Sequence, residues 1–237
     1  MITMIGTGHV FRISEQVSFI VKYTWPDAVL VELDEKRYAA LMSGPGDRKG
    51  SESTPKLYRE AAEYQNKISE KNETPLGGDM LAAINAGKIL GADIICIDKD
   101  AEQTMREVED GMAFFERTRY SFSSATDGLW GRKKVNAAKK SFAADEEEYF
   151  RKMRRKFPTL VEKLIDERNV YMAERIKEAL EKYKNMVVVV GDAHVRGISE
   201  LLGDAEIDMI RLADMMDQES MNGIKSRIWN RKAEGSE

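Results

Sequence analysis

Histidine and cysteine are nearly missing from this chain: its 237 residues hold two histidines and one cysteine. A single cysteine excludes an internal disulfide, and Cys96 lies inside the apolar run IICI, where a free thiol serves as a small core residue. Long hydrophobic runs are missing too. The longest clean one is Met186–Val190, far short of the roughly 20 residues that a membrane span needs. Residues 1–5 (MITMI) lack the basic start and long apolar stretch of a secretory signal. Neither charge dominates: 37 Lys and Arg against 41 Asp and Glu give a net charge of −4, which supplies no general reason to bind nucleic acid or an anionic membrane. No H-E-x-x-H motif occurs. The balance of 42% hydrophobic and 33% charged residues is that of a globular protein rather than a disordered one, and a reducing cytoplasm is the expected compartment.

What is present is a phrase written twice. Residues 6–15 read GTGHVFRISE and residues 191–200 read GDAHVRGISE, identical at six of ten positions. Both histidines of the chain, His9 and His194, stand at the same place in it. Each copy follows a short apolar stretch, ITMI before Gly6 and MVVVV before Gly191, which predicts a buried strand, a G-x-x-H loop and a helix start. In the second copy the helix is expected over Ser199–Leu202.

The intervening pattern alternates. Ser14 opens a helix with Val17, Ile20 and Val21 at helical spacing, and Pro26 ends it. Ala28–Leu33 is the next strand, followed by a helix near Glu35–Leu41 and a Gly-, Pro- and Ser-rich loop over 43–55. A helix is expected at 56–71, another at 80–91 closed by Gly91, and a third strand at Ile94–Ile97. Residues 101–157 have no strand pattern and read as a helical insertion. Its basic runs, GRKKVNAAKK and FRKMRRKF, suit a solvated helix face better than a nucleic-acid patch, since Asp145–Glu148 dilute their field. Trp130, Phe142, Tyr149 and Phe157 fit its core, although the insertion could also serve as a homodimer interface or a lid. Pro158 begins a helix running to about 184; a last strand is expected at Ile207–Leu212, and the tail AEGSE should fray. The fold class is α/β: one domain over 1–237, with a mostly parallel central sheet from two related strand–GxxH–helix halves and an insertion at about 101–157.

In parallel α/β sheets the loops at the carboxyl ends of the strands form the ligand crevice. If the two strands share a sheet, His9 and His194 meet there with Glu32, from VELDEKRY, and Asp98, which ends the third strand. Gly6 and Gly191 would let backbone approach a substrate closely or adopt positive φ. Two imidazoles with a carboxylate can bind a divalent metal with open positions for water, lowering that water's pKa to about 7. Without a metal, histidine and Glu32 could act as a general base. Glu32 has an alternative partner in Arg37 or Lys36, and Arg37 could itself hold substrate.

Five segments in order, GTGHVFRISEQV, PDAVLVELDEKRYAAL, GGDMLAAINAGKILGADIICIDKD, LIDERNVYMAERI and VVVVGDAHVRGISELL, resemble the TraB/pheromone-shutdown family. More distantly they resemble the TIKI proteases and erythromycin esterases. The resemblance covers most of the chain and is weakest over 43–75 and 105–157. It implies an α/β fold of two related halves and hydrolysis of a small peptide or another small amide or ester. It carries His9, His194 and Glu32 to a divalent-metal site, with Mn²⁺, Co²⁺ or Zn²⁺ all suited to mixed nitrogen and oxygen ligands. Arg168 takes the arginine of an ERD-like motif, here ERN, to hold a substrate carboxylate or oxyanion; a salt bridge to Asp166 or Glu167 is its alternative. Asp79, which would support the catalytic site, stands where a glutamate is usual, GDAH replaces GAGH and so adds Asp192, and DKD replaces DRD. Erythromycin-esterase relatives imply a metal-free histidine–glutamate route, and a protein that only sequesters a peptide is the non-catalytic alternative.

Overall fold

The structure, a computed structural model, describes residues 1–8, 11–43, 55, 59, 77–118, 120 and 145–234. His9, the 44–54 loop, nearly all of the expected 56–71 helix, Trp130, Phe142 and the GRKKVNAAKK run lie outside the described residues.

Five strands form one all-parallel sheet: β1 (Ile2–Thr7), β2 (Ala28–Val31), β3 (Asp93–Cys96), β4 (Met186–Gly191) and β5 (Ile207–Ile210), in the order β3-β2-β4-β1-β5. The inner strands are apolar without alternation because both faces are covered. Val187–Val190 have no exposed surface, and each such side chain contributes about 1.5–3 kcal/mol of transfer free energy. One face carries Ile5, Val29, Val31, Val187 and Val189 against helices α1 (Ser14–Thr24) and α3 (Gly78–Leu90); α2 (Glu35–Ser43) follows β2. The other carries Met4, Leu30, Val188 and Val190 against α7 (Glu167–Leu180) and α8 (Asp192–Leu202). Between β3 and α7 in the chain come α4 (Ala101–Gly111), α5 (Glu146–Lys156) and α6 (Pro158–Val161), the last joined to α7 by a π-turn at Glu162–Asp166. After β5, α9 (Leu212–Met216) and α10 (Gln218–Glu234) end the described chain.

Local chemistry explains the boundaries. Trp25 ends α1 in the left-handed region, φ 48°, with its N–H on Val21 O, and Pro26 forbids continuation. Gly91, φ 76°, ends α3. Asp100 caps α4 by accepting the Gln103 N–H at 2.9 Å. Pro158 sits in the first turn of α6, whose Thr159 and Leu160 N–H groups donate to buried Glu116 at 3.0 and 3.3 Å.

Several expectations change. Expected to end at residue 5, β1 runs to Thr7, paired with Gly191 of β4. Leu212 leaves the last strand to begin α9, and α10 occupies a region with no expected element and runs into the AEGSE tail. In the second copy of the phrase, α8 starts at Asp192 rather than Ser199, so GDAH is no loop and His194 lies in a helix's first turn.

Travel from β1 through β2 to β3 uses α1 and α3 on one face, and the return through β4 to β5 uses α7 and α8 on the other. Opposite faces for opposite directions keep every crossover of one hand. β4 thus sends its connection to the face opposite to those of both its neighbours, β1 and β2, and its carboxyl end lies at the topological switch point at which ligands bind in open α/β sheets. The two copies of the phrase end β1 and β4.

Candidate functional site

Glu32 follows β2 directly and is buried, although a lone carboxylate there would lose its hydration. Two groups answer that cost. Its Oε2 accepts the N–H of Gly191, the residue that caps α8, so the charge sits at a helix N-terminus. Its Oε1 pairs with Arg168 Nη2. Its Oε1 also lies 3.5 Å from His194 Nε2. The approach of Glu32 is eased by glycine at 191, where a Cβ would lie a tight 3.2 Å from Oε2. Gly191 has φ −58°, so its role is close approach and not positive φ.

Arg168, on the first turn of α7, spreads its donors over the rim. Nε and Nη2 form a fork on Asp98, at 2.9 Å to Oδ1 and 2.7 Å to Oδ2. Nη1 donates to Leu164 O at 3.1 Å, within the preceding π-turn, and lies 3.2 Å from His194 Nε2. Burial works against its charge, but Glu32 and Asp98 more than offset it and hold its pKa above the ordinary value. The alternative for Arg168, a salt bridge to Asp166 or Glu167, is not formed: Asp166 takes Arg154, and Glu167 takes Lys163 and Lys99.

Arg37 does not pair with Glu32. It donates from Nε to Asp34 Oδ2 at 2.7 Å and from Nη2 to Asp98. Asp98, whose side chain is 1% exposed, is thus shared by two guanidiniums and aims Arg168 at Glu32 and His194. Burial again opposes the Arg37 charge and Asp98 and Asp34 raise its pKa.

His194 is buried, and its Nδ1 lies 2.7 Å from Asn169 Oδ1, the neighbour of Arg168 on α7. No role was expected for Asn169; the one signal in the sequence is the ERN that stands where the family has an ERD-like motif.

Asp79 is buried in the first turn of α3, at the same edge of the sheet, with Oδ1 accepting the Met80 N–H at 3.0 Å. None of the hydrogen bonds among described residues links it to Glu32, Arg168 or His194. Gly6, on β1, faces a different carboxylate: a Cβ there would collide with Asp192 Oδ1 and come within 2.9 Å of Val195 Cγ2. Asp192 itself accepts Arg211 Nε at 2.9 Å and the Leu212 N–H at 2.9 Å, tying the start of α8 to the start of α9. The rim therefore brings together Glu32, Asp98, Arg168, Arg37, His194 and Gly191, with Gly6 on the adjoining strand and His9 outside the described residues.

Among the described residues no group of three or more His, Cys, Asp or Glu is arranged to hold a metal ion. Two of the expected donors, His194 Nε2 and Glu32 Oε1, lie 3.5 Å apart and both face the guanidinium of Arg168. A catalytic zinc site takes three protein ligands, and a dication at this position would repel Arg168. The described residues by themselves do not fit the metal.

The TraB/PrgY/gumN family model matches residues 1–208. Uncharacterized protein MJ1365 of Methanocaldococcus jannaschii is 28% identical over 224 residues, which cover 89% of this chain and 56% of that protein. The chain thus spans about half the length of this curated relative. Among the described residues no helix is long and apolar enough to cross a membrane.

Proposed function

The chain belongs to the TraB/PrgY/gumN family, and on that premise and the geometry of the rim we propose that it is a hydrolase of a small peptide or another small amide or ester. The observation that carries the reading is His194, whose two ring nitrogens have separate partners at the switch point: Asn169 on Nδ1, Arg168 and Glu32 on Nε2. His194 Nε2 takes a proton from water as the water oxygen adds to the substrate carbonyl. Arg168, held by Asp98, donates to the oxygen that becomes negative. Glu32, fixed by the Gly191 N–H, balances the imidazolium that forms. The bond to the leaving group then breaks, and His194 returns the proton to it. Arg37 acts through Asp98 and does not touch substrate, and Gly6 shapes the neighbouring wall.

Metal dependence with His9, His194 and Glu32 as ligands, expected from the resemblance, requires Arg168 to withdraw from Glu32 and a third donor to join. The experiment is turnover of p-nitrophenyl esters and fluorogenic peptides by the parent and by His194→Ala, in chelator and with Mn²⁺, Co²⁺ or Zn²⁺. Loss of about 10²–10⁴-fold in His194→Ala is expected, the range of one general base, with chelator harmless to the parent. Chelator-sensitive turnover, with one metal bound per chain and lost in His9→Ala and His194→Ala, replaces this route with the metal-dependent one. Binding of peptide without turnover makes the protein a sequestering one and removes the hydrolase reading.

A further inference from the structure

Mid-helix glycine costs about 1 kcal/mol relative to alanine, yet Gly197 occupies the middle of α8, six residues after Gly191 in the second copy of the phrase. Its neighbour across the helix interface supplies the reason. A Cβ at 197 would collide with Asn169 Nδ2 and lie 3.1 Å from Asn169 Cγ. The amide nitrogen of Asn169 therefore packs against Gly197 of α8, one helical turn beyond His194. Asn169 is 6% exposed. With Nδ2 turned to Gly197, Oδ1 is the atom presented to His194 Nδ1. An amide oxygen only accepts, so the ring nitrogen facing it must carry the hydrogen. The other nitrogen, Nε2, then holds the lone pair and meets a guanidinium N–H 3.2 Å away. Both contacts are satisfied by one ring state.

We propose that Asn169, seated on Gly197, is a positioning residue that locks neutral His194 in the Nδ1–H tautomer, with the Nε2 lone pair turned to the rim. As a statement about catalysis this rests on the hydrolase reading, because only that tautomer can accept a proton at Nε2. As a statement about the ring it stands without any substrate. The pairing could not follow from the phrase, since the first copy has Arg12 at the position of Gly197 and α1 begins only at Ser14.

The test uses the full ¹⁵N-labelled chain and long-range ¹H–¹⁵N correlation of its imidazoles at alkaline pH. His9→Ala assigns the signals, since the chain has only two histidines. The expected parent spectrum shows His194 Nδ1 as a pyrrole-type nitrogen and Nε2 as a pyridine-type one. Asn169→Ala should lose that pattern in favour of the Nε2–H form that free histidine prefers, Gly197→Ala should shift toward it, and Asn169→Asp should restore the parent pattern. A pyrrole-type Nε2 in the parent overturns the proposal without any variant. So does an unchanged pattern in a folded Asn169→Ala. Failure to hydrolyse any substrate would sink the hydrolase reading and leave this ring assignment intact.

Discussion

The two copies of the repeated phrase end on adjacent strands and solve the same packing problem at different depths. Each first glycine makes room for a carboxylate that an arginine holds. At Gly191 the carboxylate is Glu32 and the arginine Arg168, whose side chain is 15% exposed. At Gly6 they are Asp192 and Arg211, the latter 29% exposed. The deeper pair keeps a histidine within reach of its charge. The shallower one joins α8 to α9 and, through Arg211 Nη2 to Glu146 Oε2 at 3.0 Å, to helix α5 of the insertion. Identical words can therefore be put to different uses: one copy anchors a charged cluster beside a ring, the other anchors a corner of the fold.

Removing the arginines should break the comparison most clearly. Arg168→Ala leaves Glu32 and Asp98 buried without their shared cation, and loss of about 3–5 kcal/mol in urea unfolding is expected. Arg211→Ala should cost less, about 1–2 kcal/mol, because Asp192 keeps the Leu212 N–H and is closer to water. Equal losses would mean that the two clusters are equivalent.

The glycines sharpen the same contrast. Gly6→Ala drives a methyl into Asp192 and Val195, so overpacking of about 1–3 kcal/mol is expected. Gly191→Ala meets Glu32 Oε2 at 3.2 Å, where a shift of a few tenths of an ångström suffices, and should cost less than about 1 kcal/mol. Thermal melts of both variants decide the order, and the reverse order would mean that Glu32 is the more rigid carboxylate.

The smallest effect concerns Cys96 at the end of β3, on the acidic side of the Arg37 cluster. Burial first, then Glu35 and Asp34, push its thiol up to about 12. Alkylation at pH 8 should be slower in the folded chain than in urea. Because the folded pKa is the raised one, this thiol's contribution to stability is constant below the unfolded value of about 8.5 and declines as pH climbs from there toward 12. Equal alkylation rates would mean that the end of β3 is open to solvent.

Much of the fold was legible. The unbroken apolar run Met186–Val190 reads as a strand buried on both faces, Pro26 and Gly91 mark helix ends, and Ser14 marks a helix start. These are local signals, carried by backbone dihedrals and hydrophobic period. The start of α8 was not legible, because the phrase ISE opens a helix in one copy and lies inside one in the other. Glu32 and Arg168 were both visible as candidates, but their pairing spans 136 positions of sequence. Arg37, three residues from Asp34, looked like the nearer partner for Glu32 and instead serves Asp34 and Asp98.

The sequence by itself determined the α/β alternation, the family and the repetition of one phrase around the only two histidines. Those follow from composition and short-range order, which act before any long-range contact forms. Only the tertiary structure decided that the two copies flank the switch point, that Asp98 serves two arginines, and that a glycine in α8 seats the asparagine on His194. Strand order and helix contact are settled by burial across the whole sheet, and a buried charge takes whichever partner that packing brings within reach.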